Sequence, residues 1–259
     1  MKKAVLITGA CTNTGVDIVE KFAAEGVPVV FTGRNPAAVA EAEARYREKF
    51  PEGSFLGVAL DSHTPAGEVN EEGVIKMFAL LDEKGIHIDT LVLNAADQGL
   101  GMTALESPLS DFVRVMNTNV IWNYALCVQA ARRMRDRETG GSITFINSNT
   151  AYRAIPDRTA YVTSKGAQLG LVRALALDLG KYGIRVNAVL PGMIRTDRWV
   201  KNPDFYKNVP SRFTPIGDVA NGSDVADAVW YFAAHARNTT GAELVLDGGN
   251  TIQLYPIIP

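Results

Sequence analysis

Apolar positions along this chain follow two alternating rhythms. Short runs rich in β-branched and aliphatic residues read as seven strands: 2–8 (KKAVLIT), 28–33 (PVVFTG), 54–60 (SFLGVAL), 90–95 (TLVLNA), 142–147 (SITFIN), 185–191 (RVNAVLP) and 242–248 (AELVLDG). Between them lie stretches of helical length and period, at 16–26, 36–50, 71–85, 110–134 and 160–182. Strand, helix, strand repeated in this way predicts an α/β fold, a doubly wound seven-stranded parallel sheet with right-handed crossovers and helices on both faces. No low-complexity linker divides it, so one domain spanning 1–259 is expected. Only 191–222 lacks a clean period. It follows a strand's carboxyl end, where open α/β sheets bind ligands, and is the candidate substrate lid.

Composition narrows the class. In 259 residues, 47% are hydrophobic, enough for one large core. The longest apolar runs are strand-sized and fall short of the roughly 18 residues of a membrane span. A soluble, untargeted, cytoplasmic protein is expected. Its 26 basic and 28 acidic residues are scattered, which leaves no footprint for nucleic acid. Cys11 and Cys127 lack metal-ligand spacing, as do His63, His87 and His235, so no metal is expected.

Two segments carry candidate chemistry. LITGACTNTGVDIVEKF reads as strand, turn and helix, the arrangement that sets backbone N–H groups and a helix dipole against a diphosphate. Gly9 and Gly15 suit that task, and Asn13 stands between them where a third glycine is common; asparagine tolerates positive φ better than most residues. At the end of the second strand the sequence is FTGRN, with Arg34 in place of the carboxylate that would mark an unphosphorylated ribose. That favours NADP(H), with NAD(H) as the alternative. The second segment is AYVTSKG. Tyr161 and Lys165 share a helical face, and a cation beside the phenol is expected to lower its pKa toward neutrality.

Taken together, these landmarks resemble the short-chain dehydrogenase/reductase family over nearly the whole chain. The family's serine lies 13 residues before its tyrosine, as Ser148 does here; its helix asparagine matches Asn119 in MNTNV; its PG and DGG match Pro191-Gly192 and Asp247-Gly248-Gly249. Two motifs depart: TGxxxGxG is TGACTNTG, and NNAG is LNAA at Leu93–Ala96. Both departures lie beside the cofactor's expected place.

The resemblance implies a Rossmann-type fold, hydride transfer between a nicotinamide cofactor and a ketone or secondary alcohol, and a tetrad of Asn119, Ser148, Tyr161 and Lys165. In it Tyr161 exchanges the proton, Ser148 holds the substrate oxygen, Lys165 holds the ribose and stabilises the phenolate, and Asn119 binds a water that links Lys165 to solvent. Cofactor contacts implied by position are Gly9, Asn13 and Gly15 at the phosphates, Asp61 near the adenine, Asn94 and Ala95 below the ribose, and Ile194 with Thr196 at the carboxamide. A protein that binds NADP(H) without turnover is the alternative; the intact tetrad argues against it.

The lid carries Met193, Trp199, Phe205, Tyr206 and Phe213, with Tyr152 and Met102 on neighbouring loops, which suggests a bulky apolar ketone, steroid-like or a 3-oxoacyl thioester. A polyol or sugar is the other candidate. The helices at 110–134 and 160–182 hold more apolar residues than one sheet face should need, among them Val115, Val120, Ile121, Trp122, Leu126, Leu169, Val172, Leu175 and Leu179. Related enzymes pair these helices, so a homo-oligomer, dimer or tetramer, is expected. The tail's Leu254, Tyr255, Ile257 and Ile258 are expected to pack on a neighbouring subunit.

Overall fold

The computed structural model describes residues 2–256; Ile257 and Ile258 lie outside the described residues. Seven parallel strands form one sheet: β1 (Lys2–Ile7), β2 (Val29–Gly33), β3 (Phe55–Ala59), β4 (Ile86–Leu93), β5 (Gly141–Ile146), β6 (Ile184–Pro191) and β7 (Glu243–Leu246), in the order β3-β2-β1-β4-β5-β6-β7. The chain thus winds outward from β1 to β3, returns, and winds the other way from β4. The reversal leaves a crevice at the carboxyl ends of β1 and β4.

The strands are nearly continuous apolar runs because both faces of the sheet are covered. Their alternation divides two cores. Ala4 and Leu6 of β1 face one core with Leu91, Phe145, Val186 and Trp122, while Val5 and Ile7 face the other with Ile18, Phe22, Phe31 and Val225. Helices α1 (Thr14–Ala24) and α2 (Pro36–Lys49) cover the second core, with α10 (Gly222–Trp230) beside α1; α3 (Glu71–Glu83), α5 (Asn123–Asp136) and α6 (Thr159–Leu179) cover the first. Among the described residues no helix is long and apolar enough to cross a membrane.

The helix expected at 110–134 is interrupted. It runs as α4 (Leu109–Met116), a π-turn (Asn117–Trp122) and α5. One-turn π segments of this kind often mark functional sites. The surplus of apolar residues expected on these helices is mostly absorbed at home, since Val115, Trp122, Leu126, Leu169, Val172 and Leu175 are buried within the chain. What stays exposed is Val113, Ile121, Tyr124, Leu177 and Tyr182. The lid at 191–222 folds as three short helices, α7 (Asp197–Lys201), α8 (Pro203–Tyr206) and α9 (Val209–Phe213), and is tied down where Asn250 Nδ2 donates to Phe213 O at 2.8 Å. In the tail, Gln253 Nε2 donates to Arg212 O at 3.0 Å, while Ile252, Leu254 and Tyr255 are exposed.

Strand β3 is an edge of the sheet, and α2 covers it. Glu43 Oε2 accepts from Gly57 N at 2.7 Å and Arg47 donates to Phe55 O at 2.7 Å, so side chains occupy ladder groups that would otherwise be open to another strand. Gly57 permits the approach: a Cβ there would stand 2.6 Å from Val39 Cγ1. At the other end of the domain Asn13 holds φ 49°, ψ −141°, a conformation that an L residue adopts only under strain.

Two outcomes follow. Glu43→Ala should cost about 1 kcal/mol in urea unfolding, a charged hydrogen bond discounted for exposure, and should increase aggregation on standing. Asn13→Gly should stabilise by about 1 kcal/mol through relief of strain, a rise in melting temperature of about 2–4 °C by calorimetry.

Candidate active site

The glycine loop, the end of β4 and the start of α1 are fitted together at van der Waals limits. A Cβ on Gly15 would stand 2.4 Å from Gly9 O and 2.9 Å from Asn94 Nδ2, and one on Gly9 would stand 2.9 Å from Ala95 Cα. Thr8 Oγ1 accepts from the backbone N–H groups of Asn94 and Ala95, both at 3.0 Å, and Asn94 Nδ2 donates to Thr8 O and Gly9 O, also at 3.0 Å. Asn94 therefore uses its side chain to hold the loop. Gly9, Asn13, Gly15, Asn94 and Ala95 are brought to one crevice, beneath an α1 N-terminus that no side chain caps.

Two α2 residues not singled out in the sequence complete the loop. Tyr46 Oη donates to Ala10 O at 2.5 Å, and Arg45 donates to Cys11 O at 3.3 Å. Cys11 lies against the end of β2, where a Cβ on Gly33 would meet its Sγ at 2.4 Å. Burial raises the Cys11 thiol and the Arg45 charge works against that rise. Arg34 is exposed at the end of β2, beside Gly33, and Arg45 reaches the carbonyl of Cys11, whose Sγ lies against that glycine. Asp61, also exposed, caps its own turn by accepting from His63 N at 3.1 Å. At the far side, Ile194 bridges to Ala220, and Thr196 follows at the entrance to α7.

The tetrad residues converge at the end of β5. Ser148 stands close enough to Tyr161 to lower its phenol, and Ser148 Oγ accepts from Thr150 N at 3.2 Å. Lys165, one turn after Tyr161 and 1% exposed, sets its Nζ 5.5 Å from the Tyr161 ring centroid. Its ammonium donates to Ile146 O at 2.8 Å and to Gln168 Oε1 at 3.3 Å.

The electrostatics correct one expectation. Burial raises the Tyr161 phenol above its usual value, against lowering by the Ser148 hydrogen bond and the Arg158 charge. Lys165 does not supply the expected lowering. It is itself desolvated, and burial brings its amine down to about 7.

Asn119, fully buried in the π-turn, has its side chain committed: Oδ1 accepts from Asp97 N at 2.8 Å, and Nδ2 donates to Asp97 O at 2.8 Å and to Ser164 Oγ at 2.9 Å. A polar residue poorly suited to a helix interior is held there by tertiary partners. Its backbone carbonyl accepts from Gln168 Nε2 at 2.7 Å and from Asn123 Nδ2 at 2.9 Å. The Gln168 side chain also joins Asn119 O to Lys165 Nζ by direct hydrogen bonds. The lid aromatics Trp199 and Tyr206 stack on each other with centroids 4.3 Å apart, and Tyr152 Oη is hydrogen-bonded to Glu243. A groove of about 670 Å³ lined by Lys3, Pro28 and Phe50 lies at the opposite, amino ends of the strands and holds none of these residues. Among the described residues, no group of three His, Cys, Asp or Glu side chains could hold a metal.

Comparison with known proteins agrees with this fold. A family model described as enoyl-(acyl carrier protein) reductase matches residues 9–251. The glucose 1-dehydrogenase of Gluconobacter oxydans is 33% identical over 256 residues, covering 96% of this chain and 92% of the relative. The L-rhamnose 1-dehydrogenase (NAD(P)(+)) of Azotobacter vinelandii is 31% identical over 97% of this chain and 98% of its own. Among solved structures, L-sorbose reductase from Gluconobacter frateurii, complexed with NADPH and L-sorbose, superposes with a TM-score of 0.88 at 27% identity over 98% of each chain. With matches that run almost from end to end, the protein belongs to the short-chain dehydrogenase/reductase family and is an NAD(P)-dependent oxidoreductase.

Proposed function

We propose that the protein transfers a hydride between NADP(H) and a ketone or secondary alcohol, with Ser148 and Tyr161 hydrogen-bonding the reacting oxygen and Lys165 behind them. The observation that carries this reading is the buried Lys165 Nζ set 5.5 Å from the Tyr161 ring, with Ser148 close enough to lower the phenol. Two hydroxyls aimed at one point can hold a developing oxyanion and deliver its proton. A bound nicotinamide supplies or accepts the hydride. Its diphosphate would be held by the loop at Gly9, Asn13 and Gly15 and the uncapped start of α1, its adenine beside Asp61, its ribose over Asn94 and Ala95 and against Lys165, and its carboxamide at Ile194 and Thr196. Arg34 supports the phosphorylated cofactor, because it stands at the end of β2 in place of a carboxylate, and Arg45 of α2 is a second candidate cation through its reach to Cys11 O.

Tyr161 does not start as a phenolate. Its raised pKa makes it a proton donor at neutral pH, which suits ketone reduction. In alcohol oxidation the same residue has to lose a proton first, so that direction gains rate as pH rises toward the phenol's pKa.

For the carbon frame, Met102, Leu100 and Tyr152 near the mouth support a bulky apolar substrate. The polyol or sugar reading is supported by relatives named for glucose, L-rhamnose and L-sorbose, and the steroid-like reading by a 3beta-hydroxysteroid dehydrogenase 28% identical to this chain. Two of the lid's aromatic faces are also turned toward each other. Self-association belongs to the proposal through exposed Ile121, Tyr124 and Leu177, with the exposed tail as a further contact.

The decisive experiment is a titration with NADPH and NADH followed by a panel of sugar, polyol, 3-oxoacyl and steroid-like ketones. NADPH should bind more tightly, and Arg34→Ala with Arg45→Ala should erase the preference; tighter binding of NADH would reverse the cofactor assignment. Binding without reduction of any panel member would leave the non-catalytic alternative standing. Tyr161→Phe should keep the fold and cofactor affinity while kcat falls about 10²- to 10⁴-fold. A fall under about tenfold would mean that another acid serves. Light scattering on the chain truncated after Asn250 should show a smaller assembly if the tail joins subunits.

A further inference from the structure

We propose that Gln168 is a positioning residue for the reaction centre: its carboxamide, strung between the π-turn and β5, fixes where the Lys165 ammonium and the Ser148 backbone stand. Gln168 lies three residues after Lys165 on α6, on the same face, and is 1% exposed. Its orientation is forced. Asn119 O can only accept, so Nε2 must face it, at 2.7 Å. The remaining oxygen then faces two donors, Lys165 Nζ at 3.3 Å and Asn147 Nδ2 at 3.1 Å. Asn147 carries the connection further: Nδ2 donates to Lys165 O at 2.9 Å, and Oδ1 accepts from Ser148 N at 2.6 Å. One carboxamide therefore touches Asn119 and Lys165 directly and Ser148 through a single residue.

The network is buried throughout, with Asn119 at 0%, Lys165 at 1% and Asn147 at 4% exposure. Hydrogen bonds so placed are costly to remove, since each leaves a buried polar group unpaired. For the ammonium the effect is specific. Ile146 O and Gln168 Oε1 take two of its donors and leave the third for the Tyr161 side. Apart from Tyr161 on its own helix, the groups facing it are neutral: Ile146 O and Asn147 from β5, and Asn119 from the π-turn. Burial brings the amine down to about 7, and the Ile146 and Gln168 oxygens are the acceptors that meet its charged form.

The sign of the effect follows. Loss of the Oε1 acceptor disfavours the ammonium, so Lys165 should give up its proton at lower pH. A carboxylate in that place should have the opposite effect.

The test uses the free protein first. Lysine labelled with ¹³C at Cε is titrated by NMR, and the Lys165 resonance is identified by its loss in Lys165→Met. In Gln168→Met, which keeps side-chain length, the midpoint should fall by about one unit; in Gln168→Glu it should rise. The kinetic arm rests on the function proposed above: the alkaline limb of kcat should move to lower pH in Gln168→Met, with the ketone KM within twofold of wild type and the thermal unfolding profile still cooperative. Unchanged midpoints in both variants would overturn the inference, and so would a limb that stays in place while the midpoint moves. If Gln168→Met does not fold, a midpoint in Gln168→Glu equal to wild type overturns it alone. Failure of the wild type to reduce any ketone would instead defeat the proposed function, and the NMR arm would still decide the role of Gln168.

Discussion

The site is organised around the close contact of the glycine loop with the end of β4. With Gly9 against Ala95 and Gly15 against Gly9 O, three backbone segments meet with no room for a methyl group. Thr8 and Asn94 lock that meeting with four hydrogen bonds. The start of α1 is thereby aimed into the crevice where the sheet's winding reverses, and the β4–α4 loop is led past Asn119. Loss of this fit would separate the dinucleotide cradle from the catalytic hydroxyls, because they sit on opposite halves of the sheet and meet only there.

The second half is governed by a different constraint, the cost of an interior amine. A lysine 1% exposed has to be supplied with acceptors from the backbone and from neutral side chains. The π-turn serves that need. By widening one turn of the helix it sets Asn119 O within reach of both Gln168 and Asn123, while the Asn119 side chain ties down Asp97. Irregular geometry, buried carboxamides and the lysine form one solution to one desolvation problem.

Most of the sheet was legible because parallel strands covered on both faces write themselves as apolar runs. β4 was read short: it begins at Ile86, where His87 and Asp89 dilute the apolar pattern at the amino end. The interruption of the helix at 110–134 was not legible, since a π-turn has no period of its own, although the three asparagines Asn117, Asn119 and Asn123 were its trace. Tyr161, Lys165 and Ser148 were found by spacing. Arg45 and Gln168 were missed because a charged or amide residue on a helix ordinarily reads as solvated; the position of Gln168 one turn beyond Lys165 was the available signal. The direction of the phenol's shift was misjudged because a sequence reveals a neighbouring charge and conceals the burial that outweighs it.

The Gln168 bridge has a consequence for traffic. A carboxamide passes hydrogen bonds along but does not conduct protons, which would require its imidic tautomer. Gln168 therefore couples the positions of Asn119 and Lys165 without itself serving as a proton path between them.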